Sequence, residues 1–297
     1  MINSRIRVIT SFFKVKALND AILLNDSFGT NCEDGNSNES LFSRRQNEYL
    51  WCIMENAFHS AVEKLHLLVE DEESLATLCS WENYPKLMAS SKVCVSVKSG
   101  ISAPGQNKVL YSDLFRLANE SGTSKLNQQH ITPALIMNSD IYLSRDFTGL
   151  TGKMQDFLTR GGAFALTRWE EDGSCPLIEN YQGSHDGFLF LPNGYTFSKA
   201  GYRQSQPANP AVDTVLEPEN FQKFLRNVNL PQNTYQGENI IIFELMQALG
   251  EDFLRNPCLD LKLCHKHQVA FRQWLLNKNS STAKKPDRYK LCQPCRM

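Results

Sequence analysis

The sequence predicts an α/β fold: one Rossmann-like domain with a mostly parallel central sheet covered by helices on both faces. Three observations carry that expectation. The strand-like segments are short, apolar runs rather than alternating ones, as expected for strands buried on both sides. Segments with apolar residues at helical spacing lie between them. No internal repeat interrupts the series, and 297 residues suffice for one large core.

Taken in order, Ile6–Phe13 is β-branched and aromatic and reads as the first strand. Residues 25–42 (NDSFGTNCEDGNSNESLF) are polar and rich in Asn, Ser and Gly, the composition of a mobile loop. Ser43 with Gln46 forms a capping-box pattern, and Leu50, Ile53, Met54, Ala57 and Phe58 follow at helical spacing. Leu67–Glu70 and Val93–Val97 are the next strands, and Ser112 opens a helix through Leu114, Phe115 and Ala118. Ala134–Met137 is a fourth strand; Ala163–Thr167 and Gly187–Leu191 follow. Phe221, Phe224, Leu225 and Val228 make a helical stripe behind Pro218, and Ile240–Leu249 a further helix stopped by Gly250. Leu259, Leu261 and Leu263 alternate with polar residues as in a half-buried strand. The domain therefore runs over 1–276, and 277–297 reads as a loose polar tail.

Composition excludes several classes. The formal net charge of −1 gives no basic field for nucleic acid. No apolar run reaches the ~18 residues of a membrane span, and the N-terminus lacks the long apolar core of a signal peptide. Nine scattered cysteines, an odd number, fit a reducing compartment, so the chain points to the cytosol. No Gly-rich phosphate loop and no Gly-x-Ser-x-Gly elbow occurs.

The polar groups sit at strand ends, where open α/β sheets bind their ligands. Asn138 and Asp140 end the fourth strand abruptly; in extended backbone they point to one side and offer two oxygens to Mg²⁺ or Mn²⁺. An Asx turn closing the strand is the structural alternative. Arg168 and Trp169 end the fifth apolar run, offering a forked cation for phosphate and a flat face for a sugar or base. Ser184-His185-Asp186 precedes the next strand, where Asp186 is either a turn cap or a general base.

The order RRQNE, YSDLF, IMNSDIYL, ALTRWE, GSHDGFLF, GENIIIFEL, CHKH resembles a family of GT-A-type glycosyltransferase-like proteins, many of them from bacterial surface-polysaccharide loci. The resemblance covers roughly residues 6–270, with insertions at 25–42 and around 203–235. It implies a GT-A-like domain that moves a sugar from a nucleotide-diphosphate donor to a glycan or other hydroxyl acceptor. Asp140, with His265 and His267, would hold Mn²⁺ or Mg²⁺. Arg45, Asn138, Arg168, Trp169, His185 and Asn239 would line the substrate site. Asp186 is the first choice for the base and Glu238 the second, although Glu238 equally suits a helix first turn. Asn138-Ser139-Asp140-Ile141 matches the family pattern, although GT-A enzymes often use Asp-x-Asp for their metal, so Asn138 removes one negative charge; His185 replaces the family's Gln and Glu238 its Asp. The alternative is a descendant that binds nucleotide or glycan without turnover.

One further constellation is Cys264/His267 with Cys292/Cys295, whose spacing is compatible with structural Zn²⁺. The flexible-looking segment between its halves argues against it, as does the family reading of its first half.

Overall fold

A computed structural model describes residues 2–15, 41–98, 108–120, 131–180, 184–192, 196–197, 219–232, 234, 236–266 and 288–297. Most of the expected loop at 25–42, His267 and the first part of the expected tail lie outside them. The elements are β1 (Ile6–Phe12), α1 (Leu41–Phe58), β2 (Val62–Val69), α2 (Glu72–Cys79), α3 (Tyr84–Met88), β3 (Val93–Val97) and α4 (Tyr111–Glu120). There follow β4 (Ala134–Met137), β5 (Ile141–Leu143), α5 (Gly152–Thr159), β6 (Ala163–Glu170), α6 (Pro176–Asn180) and β7 (His185–Phe190). The last are α7 (Glu219–Asn227), α8 (Gly237–Leu249), β8 (Leu254–Arg255) and β9 (Leu263–His265).

The strands form one sheet in the order β3-β2-β1-β4-β7-β6-β9-β5, with β8 beside β6. β1 runs parallel to β2 and β4, and β2 to β3. β7 is antiparallel to both β4 and β6, which makes β4 and β6 parallel to each other. β8 and β9 run parallel to β6, and the short edge strand β5 runs antiparallel to β9. The mostly parallel α/β sheet expected from the sequence is therefore present, and the reversed β7 proves important for the site.

Both faces are covered, as continuous apolar strands require. On one face Val8, Leu135, Met137, Leu166 and Leu189 pack with Leu50, Ile53 and Ala57 of α1 and with Met154 and Leu158 of α5. On the other, Ile9, Ala134, Ile136, Phe188 and Phe190 meet α4, α7 and α8. Successive residues of one strand thus enter opposite cores. The second face is aromatic: Phe115 packs edge-on to Phe224 with centroids 4.8 Å apart, and Phe197 lies 4.8 Å from Phe221. Each such fully buried ring stabilises the fold by roughly 1.5–3 kcal/mol.

Local expectations fail where tertiary contacts override them. α1 begins at Leu41, so Ser43 does not cap it. Gln46 instead ties the chain after β1, accepting from Val15 N and donating to Phe13 O. The alternation at 259–263 does not make a strand over its whole length. Asp260 N and Leu261 N both turn back to Pro257 O, and pairing starts only at Leu263. The last ten described residues, expected in the loose tail, are anchored. Arg288 pairs with Glu244 at 2.6 Å, Cys295 N donates to Asn256 O, and Met297 N donates to Asp260.

Candidate functional site

The carboxyl ends of β1, β4, β6 and β9 share one edge of the sheet, and antiparallel β7 begins at that same edge. The first turn of α8 and the first half of α1 lie beside it. Side chains from residues far apart in sequence meet there in one connected network.

Asp140 is its first centre. Oδ2 accepts from Arg45 Nη2 at 2.6 Å and from His265 Nε2 at 3.2 Å. Arg45 is buried and also donates to Glu48 (2.5 Å), to the Tyr49 hydroxyl (3.2 Å) and to Lys266 O. It therefore holds Asp140 in place rather than reaching into solvent for phosphate. The other His265 nitrogen, Nδ1, lies 2.8 Å from Glu170. Burial pulls the imidazolium pKa down, but the carboxylates of Asp140 and Glu170 outweigh it and raise the value to about 8. Burial likewise disfavours the Asp140 anion, yet His265, Arg45 and Arg168 hold it well below the usual carboxylate range.

Asn138 is the second centre. Its Nδ2 donates to Asp186 Oδ1 at 2.8 Å and to Glu238 Oε1 at 3.1 Å. Its Oδ1 accepts from Gln232 Nε2 at 3.1 Å, and the Tyr111 hydroxyl, which donates to Glu238 at 2.8 Å, lies 3.2 Å away. Both N–H groups of the amide are used, and its oxygen accepts from Gln232. Ile141 N donates to Asn138 O, so a turn does close the strand; it sends Asn138 and Asp140 to two adjoining halves of one site rather than to one ligand. Behind them Ser11 and Ser139 bond across β1 and β4 at 3.0 Å, and Ser11 also reaches Gln232.

Arg168 joins the halves. Nε donates to Glu170 at 2.8 Å and Nη1 lies 3.4 Å from Asp186. Asp186 is almost fully buried, whereas Glu238 is half-buried at the helix start. Burial of the Glu238 carboxyl, reinforced by Asp186, raises its pKa to about 7. Gly237 lets the helix start approach this closely: a Cβ there would meet Leu230 Cδ1 at 3.0 Å and Tyr111 Cε2 at 3.5 Å.

Other predicted residues lie elsewhere. Trp169 points to the opposite sheet face from Arg168 and Glu170, as alternation demands. Its Nε1 donates to Cys258 O, and the Lys262 ammonium sits 4.4 Å from its ring centroid. His185 is fully buried with Nε2 within hydrogen-bond distance of Cys292 O (3.1 Å) and Cys292 N (3.3 Å), and burial lowers its pKa to about 4; it anchors the C-terminal segment. Asn239 donates to Lys290 O and serves the same segment. Conversely Tyr111, Glu170 and Gln232 were not singled out from sequence. Glu170, two residues from Arg168 on the same strand face, was the one with a readable signal.

Metal fit follows from these contacts. Among the described residues no three His, Cys, Asp or Glu are grouped to hold an ion. Cys264 lies on β9 across from Tyr142, Cys292 beneath His185 and Cys295 beside Asn256, so the zinc constellation is not gathered, with His267 outside the described residues. His265 has both nitrogens engaged. Asp140 Oδ1, however, has no hydrogen bond among the described residues, on a side chain 16% exposed. Within the network the carboxylates of Glu48, Asp140, Glu170, Asp186 and Glu238 outnumber the cations Arg45, Arg168 and His265. A single-carboxylate site for a hard divalent cation fits that donor set.

The chain matches no protein-family model and no curated protein. Its structure is similar to that of a protein designated a glucose-1-phosphate thymidylyltransferase, from Bacillus anthracis and in complex with a sucrose. The TM-score is 0.36 and the identity 9%, over 68% of this chain and 76% of that one. It is also similar to 4-diphosphocytidyl-2C-methyl-D-erythritol synthase from Anaerococcus prevotii, with TM-score 0.30 and 10% identity over 80% of this chain and 94% of that one. No described helix is long and apolar enough to cross a membrane.

Proposed function

We propose that the chain binds a nucleotide-diphosphate sugar at this strand-end site and transfers its glycosyl group to a glycan or other hydroxyl acceptor. The observation that supports this reading is the convergence of Asn138, Asp140, Arg168, Asp186, Glu238 and His265, taken from separate segments of the resemblance, into one hydrogen-bonded network. Arg168, 18% exposed, presents the cation toward a leaving diphosphate. Arg45 and His265 act as positioning residues that fix Asp140 Oδ2, while Oδ1 has no hydrogen bond among the described residues. Asp140 would hold Mn²⁺ or Mg²⁺ through that oxygen, with the donor diphosphate and water completing the shell. When bound, the ion supplies neutralisation of charge growing on the diphosphate.

Glu238 takes precedence over Asp186 as the base. A general base works best with a pKa near the working pH, which Glu238 meets at about 7 while Asp186 is buried against Arg168 and Asn138. In a single displacement Glu238 accepts the acceptor hydroxyl proton as that oxygen attacks the anomeric carbon. The bond from that carbon to the diphosphate oxygen breaks, and nucleoside diphosphate leaves. The Asn138 amide, with both N–H groups and its oxygen engaged within the protein, also favours a second reading, a binder without turnover.

A thermal-shift panel of nucleoside diphosphates with and without Mn²⁺ tests donor binding; stabilisation by a uridine or guanosine diphosphate, lost in Asp140→Ala, is expected. No shift across the whole panel overturns the donor site. Turnover of a nucleotide-sugar panel then separates enzyme from binder.

A further inference from the structure

A second groove lies at the other end of the sheet, where α5 leads into β6 and the C-terminal segment crosses β8. Its volume is about 590 Å³, within the size range of small-molecule pockets. Lys153, Arg160 and Arg255 line it, and among the described residues none of the three makes an ion pair. Arg296 stands on the rim, held by Asp260 at 3.0 Å. The acids Asp156 and Asp252 are fewer than these cations, so the groove carries net positive charge. Its floor is aromatic: Phe157 stacks on Phe164 at 5.3 Å and on half-buried Phe253 at 6.5 Å.

Lys153, Arg160 and Arg255 are exposed and share one concavity with only Asp156 and Asp252, so their charges are partly offset there and repel through solvent. A multiply charged anion relieves that repulsion. Guanidinium groups match phosphate oxygens in forked geometry, and an aromatic floor suits a ring attached to the phosphate. From this geometry we propose a second ligand site, for a small phosphate-bearing anion, formed by Lys153, Arg160 and Arg255 over Phe253. It is separate from the strand-end site and independent of the function assigned there.

Half-exposed Cys295 also lines the groove and gives a local readout. Iodoacetamide alkylation, mapped by peptide mass spectrometry with exposed Cys79 as internal reference, should be slowed at Cys295 by inorganic pyrophosphate or by a hexose phosphate. Calorimetric binding should weaken by about tenfold or more in Arg160→Glu/Arg255→Glu, through loss of charge-assisted hydrogen bonds, and tighten in Asp252→Asn. All these positions except Phe157 and Phe253 are at the surface, so the variants should keep the wild-type melting temperature. Anion binding at the strand-end site would leave Cys295 alkylation unchanged. Failure of both anions to protect Cys295, or equal binding by wild type and the charge-reversed variant, overturns the proposal.

Discussion

The Asn138 amide donates to Glu238 across 3.1 Å while the same nitrogen donates to Asp186 at 2.8 Å. A neutral bridge therefore stands between two carboxylates. An aspartate there would set a third carboxylate against the other two. Asn138→Asp should destabilise the fold by about 1–3 kcal/mol at neutral pH, the cost of losing satisfied buried partners. Denaturant unfolding at pH 7.5 and pH 5 checks this: the loss should shrink at the lower pH as one carboxyl takes a proton. An unchanged midpoint at pH 7.5 would contradict the bridging role.

Glu238→Gln keeps the shape and the Tyr111 and Asn138 contacts but removes the base. If transfer occurs, kcat should fall by about 10²- to 10⁴-fold with donor affinity within twofold. The wild-type rate should also rise through pH 7 as Glu238 deprotonates, and the variant should lose that limb. A retained limb would move the role of base elsewhere.

Asp140→Ala removes one carboxylate partner each from buried Arg45, which keeps Glu48, and from His265, which keeps Glu170. Losing a charge-assisted hydrogen bond from each costs about 1.5–3 kcal/mol, so the melting temperature should drop. Asp140→Asn, which keeps an oxygen for Arg45, should lose less. Equal stability in the two variants would mean that Glu48 and Glu170 suffice to hold the two cations.

His265 gives a pH dependence of definite sign. Its pKa is about 8 in the fold against 6.5 unperturbed, so the protonated form is stabilised by folding. That contribution, about 2 kcal/mol, is fully present below pH 6.5 and is lost as pH rises through 8. Melting temperature should fall between those values in wild type and stay flatter in His265→Gln. Glu170 works the other way: its pKa is held at about 2, because the His265 hydrogen bond and Arg168 outweigh burial. Its contribution is present above pH 4.5 and lost as pH falls through 2.

The α/β class was legible because apolar runs and helical stripes are local signals. Strand direction was not: a run such as Gly187–Leu191 reads the same both ways, and the reversal of β7 is set by its neighbours. That reversal brings Asp186 to the ends of β4 and β6. Asn138, Asp140 and Arg168 stand out as polar groups at strand ends and His265 through the family resemblance, and the structure brings the four together; Trp169 and His185 stand out by adjacency alone. In a strand the next residue faces the other way, and each of these serves the opposite side. Tyr111 and Gln232 carried no sequence signal, since a helix-start tyrosine and a loop glutamine acquire meaning only from the groups they meet.

The placement of β9 has a consequence for synthesis. It inserts between β6 and β5, so β5, made more than a hundred residues earlier, has no sheet neighbour until β9 arrives. Asp140, just before β5, likewise lacks His265 during that interval. A nascent chain on the ribosome would therefore carry an open sheet edge and an incomplete carboxylate site from the synthesis of β5 until that of β9. A chaperone that covers strand edges should engage that window and release when residue 265 emerges.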